Sequence, residues 1–146
     1  MSIKSQVIQV QYRHPDAKIP YKSRPSDAGY DLHAMESVSI EPGDIVNIDT
    51  GMAVVAPEGF YFTIEGRSSM FRHGIVPFRG IIDGGYTGNM IVSLMNVGKN
   101  KYYILKGDRI AQIVPHAIIP LNLIEVKEIS EEYDIRGNKG YGSSGR

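Results

Sequence analysis

Cysteine is missing from all 146 residues, which excludes a disulfide framework, a thiolate metal site and a cysteine nucleophile. Net charge is missing too, because sixteen basic and sixteen acidic side chains cancel at pH 7. A neutral chain has no global field for gripping nucleic acid or an anionic membrane. The longest apolar stretch, Ala117 to Ile124, is broken by Pro120 and Asn122, far short of the roughly 18 residues of a transmembrane helix. The opening Met1-Ser2-Ile3-Lys4-Ser5-Gln6 carries no apolar core of a secretion signal, so a cytosolic or nuclear protein is expected. Room for a long helix is lacking as well. Turn residues such as Pro42-Gly43, Gly51, Gly59, Gly66, Gly74, Gly84-Gly85, Gly98 and Gly107 recur all along the chain.

What is present is the make-up of one folded domain: 42% hydrophobic and 22% charged residues. A chain of this size buries about 68–70% of its unfolded surface, enough for a core without staples. Short stretches rich in β-branched and aromatic residues lie between the turns. They run over Val7 to Tyr12, Val38 to Ile40, Ile45 to Ile48, Met52 to Val55 and Phe60 to Ile64, then Asn89 to Val97, Tyr102 to Leu105, Ile110 to Val114 and Ile118 to Val126. Period-two alternation, as in Ile8, Val10 and Tyr12 or Phe60, Phe62 and Ile64, puts those side chains on one face of a sheet. Many short strands at this spacing predict an all-β sandwich or barrel. Only Ser68 to His73 promises a turn or two of helix. From Ser130 the chain becomes Gly- and Ser-rich, with too little apolar surface to offset its own ordering. The expected division is a single barrel domain over 1–130 and an arm over 131–146. That arm is either a frayed end or, with Arg136, Lys139, Tyr141, Ser143 and Ser144, a phosphate-wrapping and base-stacking segment.

Four further stretches could carry chemistry. In Gly80-Ile81-Ile82-Asp83-Gly84-Gly85-Tyr86-Thr87-Gly88, Asp83 is expected at the tip of a tight β-hairpin. It is either a general base or a turn residue bonding its own backbone. Gly66-Arg67-Ser68-Ser69-Met70 offers a cation, two hydroxyls and helix-start amides as an anion cradle, or a plain helix cap at Ser68. Asp108 and Arg109 in Gly107-Asp108-Arg109-Ile110-Ala111-Gln112 form a functional pair or a surface pair worth little. Asp31, inside Ala28-Gly29-Tyr30-Asp31-Leu32, needs a partner if it is buried.

In this order, and with Arg136-Gly137-Asn138-Lys139-Gly140-Tyr141-Gly142-Ser143-Ser144-Gly145, these stretches resemble the five ordered motifs of the trimeric deoxyuridine triphosphatases. The resemblance spans about Ser26 to Gly145. It implies an antiparallel jelly-roll-like β-barrel, a homotrimer with shared active sites, and hydrolysis of dUTP to dUMP and pyrophosphate by in-line water attack on the α-phosphorus. Such an activity keeps uracil out of DNA and supplies dUMP. By the same resemblance Asp83 is the catalytic base. Tyr86 lies beneath the deoxyribose and excludes a 2′-hydroxyl. The backbone from Gly80 through Ile82 to Asn89 reads uracil. Arg67, Ser68, Ser69 and Gln112 hold the phosphates and the waters of a bound Mg²⁺, which itself has no dedicated protein ligand. Asp31 pairs with Arg109 as a supporting residue, alongside Asp108. In the arm, Arg136 reaches the γ-phosphate, Tyr141 stacks on uracil, and Gly142, Ser143 and Ser144 meet the phosphates.

Three departures from the family pattern stand out: Tyr141 where Phe is usual, Gly66 where Pro is frequent, and Pro77-Phe78-Arg79 beside the base site, where small residues or Asn are common. The related deoxycytidine triphosphate deaminases share the barrel but use a glutamate ten residues beyond the hairpin Asp. That position is Ser93 here. An inactive nucleotide-binding barrel is the other alternative, and it should lack Asp83, Tyr86 or the arm.

Overall fold

A computed structural model describes residues 6–140 of the chain. Its strands are β1 (Gln9–Tyr12), β2 (Tyr30–His33), β3 (Val38–Ile40), β4 (Ile45–Asp49), β5 (Met52–Val55) and β6 (Phe60–Glu65). After the one-turn helix α1 (Ser68–Phe71) come β7 (Ile75–Pro77), β8 (Ile81–Ile82), β9 (Ile91–Asn96), β10 (Tyr102–Ile104) and β11 (Arg109–Ala117). The class is all-β, as expected. The strands form four antiparallel ladders, ordered β1-β5, β3-β10, β2-β11-β6-β8 and β4-β9-β7, rather than one continuously hydrogen-bonded barrel.

Alternation decides which faces meet. In β9, Val92, Leu94 and Asn96 are buried while Ile91 and Met95 face out. Leu32, Ile40, Ile48, Val54, Phe62, Leu94, Ile104 and Ile113 come from all four ladders and are almost fully buried in one cluster. Each such side chain contributes roughly 1.5–3 kcal/mol relative to exposure. The candidate site residues lie outside this cluster.

β11 is the backbone of the site. Gln112 lies in register between Asp31 of β2 and Glu65 of β6. Pro115 was expected to end this strand, yet β11 continues to Ala117, with Pro115 opposite Phe62. Pairing with β2 stops at Ile113, so beyond it β11 is an edge, where a proline costs no ladder bond.

Three expectations need correcting. The strand expected over Ile118 to Val126 does not form. Residues there have no ladder partner, and Leu121, Leu123 and Ile124 are at least 81% exposed. The hairpin expected around Asp83 has one strand limb only, because β8 pairs with β6 and not with the residues after the turn. Finally, the helix cap is Arg67 rather than Ser68, which is already helical.

Candidate active site

Two clusters of polar residues stand at opposite ends of β6. The first gathers where β6 ends and β11 begins. Asp31 takes Arg67 Nε on Oδ1 at 3.2 Å and Arg109 Nη1 on Oδ2 at 3.3 Å. The partner that a buried carboxylate requires is thus two arginines, not Arg109 alone. Its side chain is 16% exposed, so it bridges both cations with little solvent between them and leaves one net positive charge. Arg67 Nη1 also donates to the carbonyl of Arg109 at 2.9 Å, which ties the end of β6 to the start of β11. Gln112 Nε2 donates to Gly66 O at 2.9 Å. That rotamer exists because position 29 is glycine: a Cβ there would collide with the Gln112 amide oxygen.

Ser68 and Ser69 are exposed at the helix start, and their hydroxyls make no hydrogen bond among the described residues. Beside them Arg67, Ser69, Met70, His73, Tyr102, Asp108 and Arg109 enclose a cleft of about 290 Å³. His73 and Tyr102 gave no signal in the sequence. They reach the cleft through a tilted ring contact at 5.2 Å. Asp108 is a turn builder, its Oδ2 accepting from Leu105 N at 2.9 Å. Nearby His33 lies below the ordinary histidine range, chiefly through burial and then the charge of Lys18, while Asp31 opposes the shift. Its Nδ1 is buried without a hydrogen-bond partner among the described residues.

The second cluster is the loop after β8. Tyr86 N donates to Asp83 O at 3.2 Å, and Gly85 at φ +82° supplies the left-handed backbone that such a turn needs. Asp83 is exposed; its carboxylate makes no hydrogen bond or ion pair among the described residues. Tyr86 folds back so that its hydroxyl donates to Asn89 O at 3.2 Å, over Gly88, where a Cβ would strike the ring. Asn89 Nδ2 donates to Asp49 Oδ2 at 3.0 Å. Gly80 O accepts from Ile64 N at 3.0 Å, and Ile82 packs against the core. Arg79, the departure beside this loop, is engaged by Glu65 at 2.7 Å. Burial resists ionisation of Glu65, but bonds from Arg79 and Thr63 outweigh it and hold the carboxyl below its ordinary range.

The chain does not bring these clusters together. Ile82 is opposite Phe62, which sets Asp83 level with Tyr61, six residues before Arg67. At about 3.3 Å per extended residue that is roughly 20 Å. Arg136 is exposed beyond the ladders. Tyr141, Gly142, Ser143 and Ser144 lie outside the described residues.

An acidic loop on one rim and an arginine-serine cradle on the other define an all-β protein built for a phosphorylated ligand. The chain belongs to the dUTPase family, which it matches over residues 15–145. It is 40% identical to the deoxyuridine 5′-triphosphate nucleotidohydrolase of Solibacter usitatus, over 95% of this chain and 96% of that one. It is 41% identical to the fowlpox virus enzyme of the same name, over 88% and 90%. Among solved structures, a Staphylococcus bacteriophage 80alpha dUTPase with dUpNHpp superposes with a TM-score of 0.90 at 30% identity, covering 97% of this chain and 100% of that one. A phage phi11 dUTPase described with a structural Mg(II) ion superposes at 0.79 and 28% identity, over 84% and 98%.

Proposed function

We propose that the protein hydrolyses dUTP to dUMP and pyrophosphate at sites shared between copies of a homotrimer. The observation that carries this reading is the unengaged Asp83 carboxylate on a loop with little backbone pairing of its own, in a chain of the dUTPase family. A free carboxylate on an exposed turn is available to take a proton from water. The water oxygen attacks the α-phosphorus in line, the bond to the bridging oxygen of the β-phosphate breaks, and pyrophosphate leaves. Asp83 holds the released proton. Tyr86 packs under the deoxyribose, where its ring leaves no space for a 2′-hydroxyl. The backbone of 80–89 pairs with the uracil edge.

Arg67, Ser68, Ser69 and Gln112 hold the phosphates. The Asp31 bridge favours this, because it preorganises Arg67 and offsets part of the repulsion between two adjacent cations. The arm completes the site, with Arg136 on the γ-phosphate, Tyr141 stacked on uracil, and Gly142, Ser143 and Ser144 on phosphate oxygens. The homotrimer is supported by the gap of roughly 20 Å between Asp83 and Arg67 along one strand. It is supported too by Ile119, Leu121, Leu123 and Ile124, all at least 74% exposed, a surface that a second copy would cover.

Among the described residues no group of three His, Asp or Glu side chains could hold a metal. Mg²⁺ bound through substrate phosphates and water, the usual manner for this ion, asks no such cluster of the protein. When bound, it neutralises triphosphate charge. Arg67, Ser68, Ser69 and Gln112 would face its waters. Deamination of dCTP is disfavoured by Ser93, whose Oγ donates to Asn47 Oδ1 at 2.6 Å and leaves no carboxylate there.

The test is incubation with dUTP, dCTP, dTTP and UTP, with and without Mg²⁺. Pyrophosphate release from dUTP alone is expected. Ammonia from dCTP, or no turnover of any of the four, would overturn the reading.

A further inference from the structure

The loop that carries Asp83 is gripped at few points, and one gripping residue precedes the stretch matched to the family at 15–145. Arg13, just past β1, donates from Nη2 to the carbonyl oxygen of Thr87 at 2.8 Å, across 74 positions of sequence. Its guanidinium is steered in turn, since Nε donates to Gln11 Oε1 at 3.0 Å. Its backbone amide donates to Gly51 O at 2.8 Å, and Gln11 is paired with Ala53 of β5. The arginine therefore stands on a strand ladder, not on a loose tail. The second grip comes from the same corner. Asp49 accepts from Asn89 on Oδ2 at 3.0 Å and from Gly51 N on Oδ1 at 2.7 Å. Thr87 and Asn89 are thus held on both sides of Gly88.

A peptide unit is planar and trans, so its C=O and N–H point in opposite directions. Capturing the Thr87 oxygen on the β1 side turns the N–H of Gly88, in the same peptide, away from β1. That N–H has no hydrogen-bond partner among the described residues. Without a Cβ at Gly88 the peptide could otherwise rotate at little cost. We infer that Arg13 is a positioning residue for base choice: it fixes the Thr87–Gly88 peptide so that the Gly88 N–H faces the nucleobase as a donor. Uracil presents an acceptor oxygen where cytosine presents an amino donor. A fixed N–H there bonds the first and opposes the second. Base choice by Arg13 rests on the loop being the uracil site, as proposed.

Arg13→Gln and Arg13→Lys test it with two readouts. Steady-state kinetics on dUTP should show KM raised about two- to tenfold in Arg13→Gln, the scale of one hydrogen bond. The turnover number should stay within about twofold, the pattern for lost binding common to ground and transition state. Arg13→Lys, which keeps a cationic donor, should recover part of the loss. In nucleotide-free protein the Gly88 amide resonance should move in Arg13→Gln. An unmoved Gly88 amide would overturn the inference even if activity fell. So would an unchanged KM, or a fall of kcat and melting temperature together with KM unaltered. A wild-type protein inert toward dUTP would instead overturn the proposed function, and base choice with it. The amide shift would then still decide whether Arg13 sets this peptide.

Discussion

The Asp83 carboxylate is exposed and makes no contact that holds the fold, so its replacement should touch chemistry alone. Asp83→Asn is expected to lower turnover by at least about 10²-fold, the lower range for a lost general base, with nucleotide affinity kept. Near-full hydrolysis by that variant would remove Asp83 from its role. Gly88→Ala tests the neighbouring ring, because the added Cβ would strike the Tyr86 side chain. Pushing the ring aside should erode rejection of UTP while the melting temperature stays put. A variant that still rejects UTP fully would show that the ring does not guard the 2′ position. His33 gives a pH signature of a different kind. Burial keeps its folded pKa depressed, so near pH 6.5 the unfolded chain takes up a proton that the folded chain refuses. Stability from this group is complete above about pH 6.5 and is lost as pH falls toward the folded value. Thermal melts from about pH 7.5 to 5 should show a shallower decline in His33→Asn than in the wild type. Equal slopes would contradict the assignment.

Among the elements, the segment from Ile118 to Gly140 is the one without a home. All its described residues are exposed, and its apolar side chains find no core in their own chain. Removing everything after Ile135 should leave the melting temperature almost unchanged, since such a tail contributes little to folding. It should cost most of the activity, because Arg136 and Tyr141 go with it and base stacking alone is worth roughly 1–3 kcal/mol. A truncated protein working at the full rate would make the arm a frayed end. This same segment shows where sequence patterning misleads. The β-branched stretch from Ile118 to Val126 has strand propensity, yet a strand needs a neighbour, and no strand pairs with these residues. In β9 alternation coincides with burial, and for β3, β5 and β9 the expectation was met within a few residues. β7 and β8 are two or three residues long, too short for any period to register.

In the whole molecule, site residues were legible where they cluster in sequence and hidden where only tertiary pairing brings them in. Gly66 to Ser69 and Gly80 to Gly88 announce themselves as runs. Arg13, Asp49 and Tyr102 do not, because each meets its partners from a distant and unremarkable context, and His73 follows α1 with no motif of its own. The second arginine on Asp31 was also invisible, since two strand ends must meet to supply it. The separation of Asp83 from Arg67 along β6 could be seen only once the β6–β8 register was known. It supports the central proposal, that one copy supplies the base and another the phosphate cradle.

The most direct measurement of that claim is complementation between two inactive variants. Asp83→Asn and Arg67→Gln each disable one half of the site, and each homogeneous protein should be nearly inert. Coexpressed in equal amounts and purified as mixed oligomers, they should assort at random. Roughly a quarter of the interfaces would then join an intact Asp83 to an intact Arg67. The account predicts dUTP hydrolysis recovered to about that fraction of the wild-type rate. A mixture no more active than the sum of its two parents would contradict it, and would place base and cradle in the same chain.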